Sequence, residues 1–141
     1  MMVVDAQGLP LGLLVASAQE AEVRLAEPTL ATIRVPRRRG RPKTRPVSIV
    51  ADKGYDSDRF REGLRRRGIR PCIPYRRGRR PKPGRKPDLA AYRQRWHIER
   101  TFAWLGSFRR LLVRFEHSAT VYRGFLYLAA ALICTRRLTL G

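Results

Sequence analysis

The chain has 141 residues, the length of one domain, and hydrophobic residues make up 43% of it. That apolar fraction is enough for a folded core, so a purely disordered basic tail is excluded. The formal net charge is +20 and is unevenly placed, because residues 1–34 carry −2 and residues 35–141 carry +22. Such a charge favours a polyanionic partner, and nucleic acid is the first candidate and an anionic membrane surface the second.

The cysteine content and the hydropathy pattern exclude further classes. Cys72 and Cys134 are the two cysteines, and neither has metal-ligand spacing around it, so a disulfide scaffold and a zinc finger are not expected. The first residues lack a signal-peptide pattern, and the most apolar stretch, 125–134, is too short to span a membrane. We therefore expect a soluble intracellular protein with reduced thiols and no membrane role.

In chain order, the first predicted elements are a hairpin and a helix. Apolar runs at 3–4 and 11–16 are separated by Gly8 and Pro10, and turn residues between such runs predict a β-hairpin. The Ser-x-x-Glu spacing of residues 17–20 is typical of a capping box and predicts that a helix begins there. Pro28 is expected to kink or shorten this helix.

The middle of the chain predicts a strand, a helix and a further strand. The β-branched run 47–51 indicates a buried strand, and Asp56 or Ser57 is expected to cap a helix that ends at Gly68. A strand over 69–73 is also expected, although its proline cannot donate a hydrogen bond to a neighbouring strand.

The last part of the chain predicts helices. Asp88 is placed to cap either one long helix or two helices in sequence over 89–115, and Ser118 to cap a final helix. The final helix carries an apolar stripe of Val121, Phe125, Leu128 and Leu132. The order of all these elements predicts an α/β fold with helices packed on a small mixed sheet.

Two basic, proline-broken loops cover residues 35–46 and 74–87 and together hold 13 Lys and Arg residues. So many like charges repel one another unless an anion is present, which favours nucleic-acid contact over a solvated linker. Arginine side chains bind phosphate through a fork of parallel donors. The arginines of the second loop that we expect to contact nucleic acid are Arg76, Arg77, Arg79 and Arg80.

Asp52 and Glu99 are the candidate catalytic and metal-binding residues. Asp52 directly follows the predicted strand, where open α/β sheets place their ligands, although an ordinary turn aspartate would look the same. Glu99 shares one helix face with Tyr92 and Arg95, although an ordinary Arg–Glu helix pair would also explain this spacing. Two carboxylates on different elements suit a divalent metal ion bound through oxygen.

Two motifs together carry a resemblance to a known family. ADKGYDS at 51–57, followed by YRQRWHIERTFAWLGSFRRL at 92–111, resembles the DDE transposases of bacterial insertion sequences, in the superfamily of insertion sequences four and five. The resemblance implies an RNase H-like core that cleaves and joins DNA at transposon ends with Mg²⁺ (or Mn²⁺). It assigns Asp52 as the second catalytic Asp and Glu99 as the catalytic Glu.

The resemblance also implies contacts to DNA. Tyr92 and Arg95 match the family's Y-x-x-R-x-x-x-E pattern, whose Tyr and Arg are expected to contact DNA near the cut. The family pattern places a Lys seven residues after the Glu, and this chain has Gly106 there. Arg109 or Arg110 is expected to replace its phosphate contact, and Lys53, beside the catalytic Asp, is a further candidate DNA contact.

The start of the chain departs from the family pattern. The family's first catalytic Asp lies on a strand upstream of the segment that VDAQGLPLG resembles, and Asp5 is not assigned to that role. We therefore expect residues 1–141 to be a single truncated catalytic domain with an incomplete RNase H-like core. The domain is either a remnant of a decayed element or the downstream half of a transposase that is encoded in two frames. Alone, this domain is expected to bind DNA without cleaving it.

The expected partners are transposon-end and target DNA, an upstream transposase half that supplies the first Asp, and a second copy in a homodimer. The expected location is the nucleoid in a bacterial cytoplasm. The competing interpretation is a non-catalytic basic protein that is associated with RNA or the ribosome. It explains the charge and the loops, but not the combination of Asp52 with the Tyr92, Arg95 and Glu99 face.

Overall fold

A computed structural model describes residues 1–78 and 88–139 of the chain. Strands β1 (Met2–Val4) and β2 (Pro10–Leu13) form an antiparallel hairpin in which Met2 lies opposite Leu13. Gly8 has a φ of 83° in the connecting turn, a conformation that glycine adopts without steric cost. Asp5 accepts backbone hydrogen bonds inside the same turn, so its carboxylate stabilises the turn. The predicted hairpin is confirmed.

Helix α1 spans Glu22–Ala31, five residues after the predicted capping serine, Ser17. The Ser17 hydroxyl accepts from the backbone of Gln19, and residues 17–20 form a turn of their own, so the predicted capping box is wrong. Ala21 occupies the N-cap without a side-chain hydrogen bond. Pro28 lies inside α1, a helix of ten residues.

The middle of the chain forms the expected strand–helix–strand unit. Strands β3 (Ser48–Val50) and β4 (Arg70–Cys72) pair in parallel, and helix α2 (Asp58–Arg66) connects them. The Ser57 hydroxyl accepts from the Phe60 N–H, which identifies Ser57 as the N-cap. Gly68 follows α2 with a φ of 69°, as a glycine that ends a helix commonly does.

The described strands form two separate two-stranded sheets, β1–β2 and β3–β4, instead of one mixed sheet. Side chains connect them, because Val3 of β1 and Ile49 of β3 pack against the same apolar cluster. The buried members of this cluster come from α1 and the residues just after it, from α2 and from the flanks of β4, and they are Ala26, Leu30, Ile33, Phe60, Leu64, Ile69 and Ile73. The predicted α/β class is confirmed, while the single sheet is not.

The C-terminal part is a series of helices: α3 (Leu89–Tyr92), a 3-10 turn (Arg93–Arg95), α4 (Trp96–Gly106), α5 (Arg109–Leu112) and α6 (Ala119–Thr139). The predicted helical region 89–115 is therefore divided into short pieces. Helices α4 and α6 pack on the hairpin through a second apolar cluster of Met2, Leu13, Leu105, Ala129, Ala130 and Ile133.

Helix α6 packs through a different face from its apolar stripe. Its buried residues are Ala129, Ala130 and Ile133, whereas Val121, Leu128 and Leu132 are exposed. The alanines lie on the face that packs on the hairpin, and the larger residues of the stripe lie on the exposed side of the helix. Among the described residues, no helix is long and apolar enough to cross a membrane.

Candidate active site

Asp52 lies at the end of β3 and caps a 3-10 turn, Lys53–Tyr55. Its Oδ1 accepts the Gly54 N–H at 2.5 Å, and the residue is half-buried. A Cβ on Gly54 would lie 2.7 Å from that oxygen, so any larger residue would displace the carboxylate. The turn therefore fixes one carboxylate oxygen and leaves Oδ2 without a donor among the described residues.

A buried ion pair lies behind this turn. The side chains of Asp56 and Arg61 are 0% and 3% exposed, and Arg61 Nη2 lies 2.8 Å from Asp56 Oδ1. Nη2 of the same guanidinium donates to the carbonyls of Ile73 and Pro74, and Nε donates to Asp56 Oδ1, so the charge is paired and these donors are bonded inside the protein. The ring of Tyr75 covers it at 4.2 Å. The pair joins α2 to the first residues of the second basic loop.

Arg76 connects that loop to the Asp52 turn. Its backbone N–H donates to Asp56 Oδ2 at 2.8 Å, and its side chain donates to the carbonyl oxygens of Lys53 and Gly54. The Arg76 guanidinium, predicted to contact DNA, is therefore hydrogen-bonded to the turn. Arg77 is exposed, and its contact with DNA stays a prediction.

Tyr55 holds the other side of the turn. Its hydroxyl donates to Glu22 Oε2 of α1 at 3.0 Å. Burial raises the pKa of Tyr55 well above its usual value, and the hydrogen bond and charge of Glu22 and the charge of Asp52 raise it further. The phenol therefore remains a hydrogen-bond donor at neutral pH.

Glu99 lies on the exposed side of α4, with 61% of its side chain accessible. Arg95 Nη2 contacts Glu99 Oε1 at 2.9 Å, and the Arg95 guanidinium lies 5.8 Å from the centre of the Tyr92 ring. The structure thus brings together the three residues predicted to share one face. The ion pair is half-exposed, so it contributes only a few tenths of a kcal/mol to stability.

The hairpin turn anchors the helix that carries Glu99. Thr101 is fully buried, and its hydroxyl donates to the Gly8 carbonyl at 2.6 Å. Arg100 Nη2 donates to the neighbouring Gln7 carbonyl at 2.6 Å. A Cβ on Gly8 would lie 2.9 Å from the Thr101 hydroxyl, so the contact requires glycine. Sequence reasoning missed this anchor because it joins residues 93 positions apart.

Two tryptophans enclose the Arg100 side chain, which sequence reasoning also missed. Its guanidinium lies 4.5 Å from the ring centre of Trp96 and 4.9 Å from that of Trp104. Arg137 of α6 lies over Trp104 at 4.7 Å. The helical spacing of Trp96, Arg100 and Trp104, each four residues apart, could have indicated this stack.

The remaining predicted DNA contacts are placed differently from one another. Lys53, Arg109 and Arg110 are all exposed, and the Arg110 guanidinium also lies 3.2 Å from Glu116 and 5.0 Å from the Phe125 ring. Arg79 and Arg80 lie outside the described residues.

The donor chemistry of the two candidate metal ligands fits a hard cation, since carboxylate oxygens are what Mg²⁺ and Mn²⁺ prefer. Asp52 offers a fixed carboxylate, and Glu99 an accessible one that shares its charge with Arg95. Within 1–78 and 88–139, no group of three or more His, Cys, Asp or Glu side chains could hold a metal ion. Convergence of Asp52 and Glu99 on one ion stays a prediction.

Comparison with known proteins decides the family. The family model described as the transposase DDE domain matches residues 1–134. The chain belongs to the DDE transposase family. The predicted family is therefore confirmed. Members of this family generally depend on divalent metal ions, which agrees with the predicted kind of cofactor.

A relative gives the same result. The chain is 42% identical over 134 residues to a putative transposase for insertion sequence element IS402 of Burkholderia cepacia. The alignment covers 94% of this chain and 60% of the relative, so the chain spans about three fifths of that protein's length. No solved structure matches. These findings do not support the alternative of an RNA- or ribosome-associated protein.

Proposed function

We propose that this chain forms part of a transposase catalytic domain in which Asp52 and Glu99 hold Mg²⁺ or Mn²⁺ for DNA cleavage and strand transfer. The observation that carries this proposal is the Asp52 turn, where a backbone N–H fixes one carboxylate oxygen at the end of a strand. When bound, the cation would stabilise the charge that develops on the oxygens of the phosphodiester. Glu99 would supply a second ligand after exchanging its contact with Arg95 for the cation.

The proposed DNA surface follows from the charge and from the exposed cations near these residues. Lys53, Arg77 and Arg109 are exposed on the described surface, and Tyr92 and Arg95 lie beside Glu99. Each phosphate that a cation neutralises releases counterions, so affinity for DNA falls steeply with salt. The transposon end and the target would share this surface.

The two separate sheets support an RNase H-like arrangement that is completed by a further strand. β1 and β3 pack on one apolar cluster but belong to different sheets, and one extended segment between them would join the pairs. We infer that an upstream transposase half supplies this strand together with the third carboxylate. Without it the chain would bind DNA but not cleave it, because two ligands hold the metal weakly. A homodimer and a nucleoid location complete the proposal.

Paramagnetic broadening by Mn²⁺ tests the metal site without requiring activity. In amide NMR spectra, Mn²⁺ is expected to broaden the resonances of Gly54 and Glu99 selectively. Asp52→Asn removes a charged ligand, so about tenfold more Mn²⁺ should be needed to broaden both resonances to the same extent. Glu62→Gln removes the same charge from an exposed position on α2 and serves as the control. Equal broadening in wild type and in Asp52→Asn would refute the metal role of Asp52.

A nicking assay tests the second part of the proposal. Supercoiled plasmid incubated with the purified chain and Mn²⁺ is expected to bind and to remain uncut. Nicking that disappears in Glu99→Gln would show that the chain completes an active site alone, contrary to the proposal.

A further inference from the structure

The first basic loop closes on itself instead of forming an open linker. The Val35 N–H donates to the Lys43 carbonyl at 2.9 Å, and the Lys43 N–H donates back to the Val35 carbonyl at 2.8 Å. This bridge separates a tip, residues 36–42, from the residues on either side of it. It also places Arg34 close to Thr44 and Arg45, because these residues flank the bridged pair.

A cavity of about 450 Å³ that is open to solvent lies at the base of this loop. Three arginines and a threonine line it together with one alanine: Ala31, Arg34, Thr44, Arg45 and Arg67. The arginines come from three places in the chain, because Arg34 follows α1, Arg45 lies in the loop and Arg67 follows α2. No carboxylate lines the cavity, so nothing in its wall balances the three positive charges.

One of the arginines is fixed in place. Arg45 Nη1 donates to the Arg67 carbonyl at 2.9 Å, which attaches the loop to the end of α2. Arg67 itself is held by its backbone N–H, which bonds to the Gly63 carbonyl. The bond orders the Arg45 side chain before any ligand binds, which lowers the conformational entropy that binding would cost for this side chain.

Three guanidinium groups around one cavity repel one another. An anion with several acceptor oxygens attracts all three, and these attractions offset the repulsion. Guanidinium forks and a hydroxyl donor match the geometry of a tetrahedral phosphate. We propose that the cavity of Arg34, Thr44, Arg45 and Arg67 is a phosphate-binding site. The phosphate is either part of the DNA backbone or free inorganic phosphate. The first source rests on the proposed function, and the two sources are separated by experiment.

The experiment is an amide NMR titration of the whole chain with inorganic phosphate at constant ionic strength. Saturable shifts are expected at Ala31, Arg34, Thr44 and Arg67. Arg34→Gln removes one charge but keeps the bond between Arg45 and the Arg67 carbonyl, and it should weaken phosphate binding about tenfold. Arg45→Gln removes one charge and also the bond to the Arg67 carbonyl, and it should weaken phosphate binding at least as much.

Arg59→Gln is the matched control, because it removes one charge from an exposed position on α2 outside the cavity. It should change phosphate affinity less than twofold. Equal losses in Arg34→Gln and Arg59→Gln, or shifts that never saturate, would overturn the proposal, since they would show diffuse attraction by the net charge.

A DNA arm identifies the source of the phosphate. A short duplex that reverses the phosphate-induced shifts, and that Arg34→Gln binds more weakly than wild type, places the DNA backbone in the cavity. A duplex that binds without reversing those shifts contradicts the DNA source and leaves a site for free phosphate. A chain that binds phosphate saturably but no duplex would refute the proposed function while leaving the site.

Discussion

The two segments that carry the candidate carboxylates are held in opposite ways. The Asp52 turn rests on the buried Asp56–Arg61 pair and is bonded by Arg76 and Tyr55. Glu99 projects from an exposed helix face, and the contacts that fix its helix lie beneath it, at the hairpin turn. The position of Asp52 is therefore set by local polar contacts, and the position of Glu99 by the docking of a whole helix.

This difference has a consequence for function. A fixed carboxylate such as Asp52 keeps its geometry whether or not a cation or DNA is present. Glu99 can exchange its partner, because the exposed ion pair with Arg95 costs little to break. The two segments therefore respond differently to substitution.

The largest expected effect is on the Asp52 side. Asp56→Ala leaves the Arg61 charge buried without its partner, which should lower the free energy of unfolding by about 3–5 kcal/mol in urea titrations. Glu99→Ala breaks the exposed pair and should cost under about 0.5 kcal/mol. Similar losses in the two variants would contradict the contrast between the segments.

A smaller effect is expected at the anchor of the Glu99 helix. Thr101→Val leaves the buried Gly8 carbonyl without its donor and should cost about 1–3 kcal/mol. It should also shift the amide resonance of Glu99 while leaving that of Asp52 unchanged. Thr135→Val on the exposed side of α6 is the control, with an expected change within about 0.5 kcal/mol. Shifts at Asp52 would show that the two segments are coupled.

A smaller effect than that of Thr101→Val is expected at Tyr55, whose hydroxyl joins the Asp52 turn to α1. Tyr55→Phe should cost about 0.5–1 kcal/mol at pH 7, because the hydrogen bond to Glu22 is half-exposed. The raised pKa means that this contribution is complete below about pH 10, where a free tyrosine titrates, and is lost at higher pH. The difference between wild type and variant in urea unfolding should therefore shrink above that pH. A difference that grows with pH would contradict this origin.

Short-range patterns in the sequence predicted much of the fold. The hairpin, the β3–α2–β4 unit and the cluster of Tyr92, Arg95 and Glu99 all follow from residues within a few positions of one another. The capping box failed because Ser17 has a competing local bond to the Gln19 backbone. The buried face of α6 could not be predicted, because the hairpin that it packs on selects the alanines.

The supports of the candidate site were less predictable than its carboxylates. Asp52 and Glu99 stand in recognisable motifs, but Arg61, Arg76 and Thr101 act on backbone carbonyls between 12 and 93 positions away. Backbone carbonyls occur at every residue, so the sequence contains no pattern for such a partner. The arginine-lined cavity was hidden for the same reason, since three separate segments form it.

The division into two strand pairs has a further consequence for the dynamics of the domain. A two-stranded sheet has no central strand, so each described strand is hydrogen-bonded to a neighbouring strand along only one of its two edges. Slow hydrogen exchange is therefore expected in α1, α2 and α6, whose buried faces form the two apolar clusters, more than in the strands. The helices, which pack on both sheets, are then the elements whose opening determines when the whole domain unfolds.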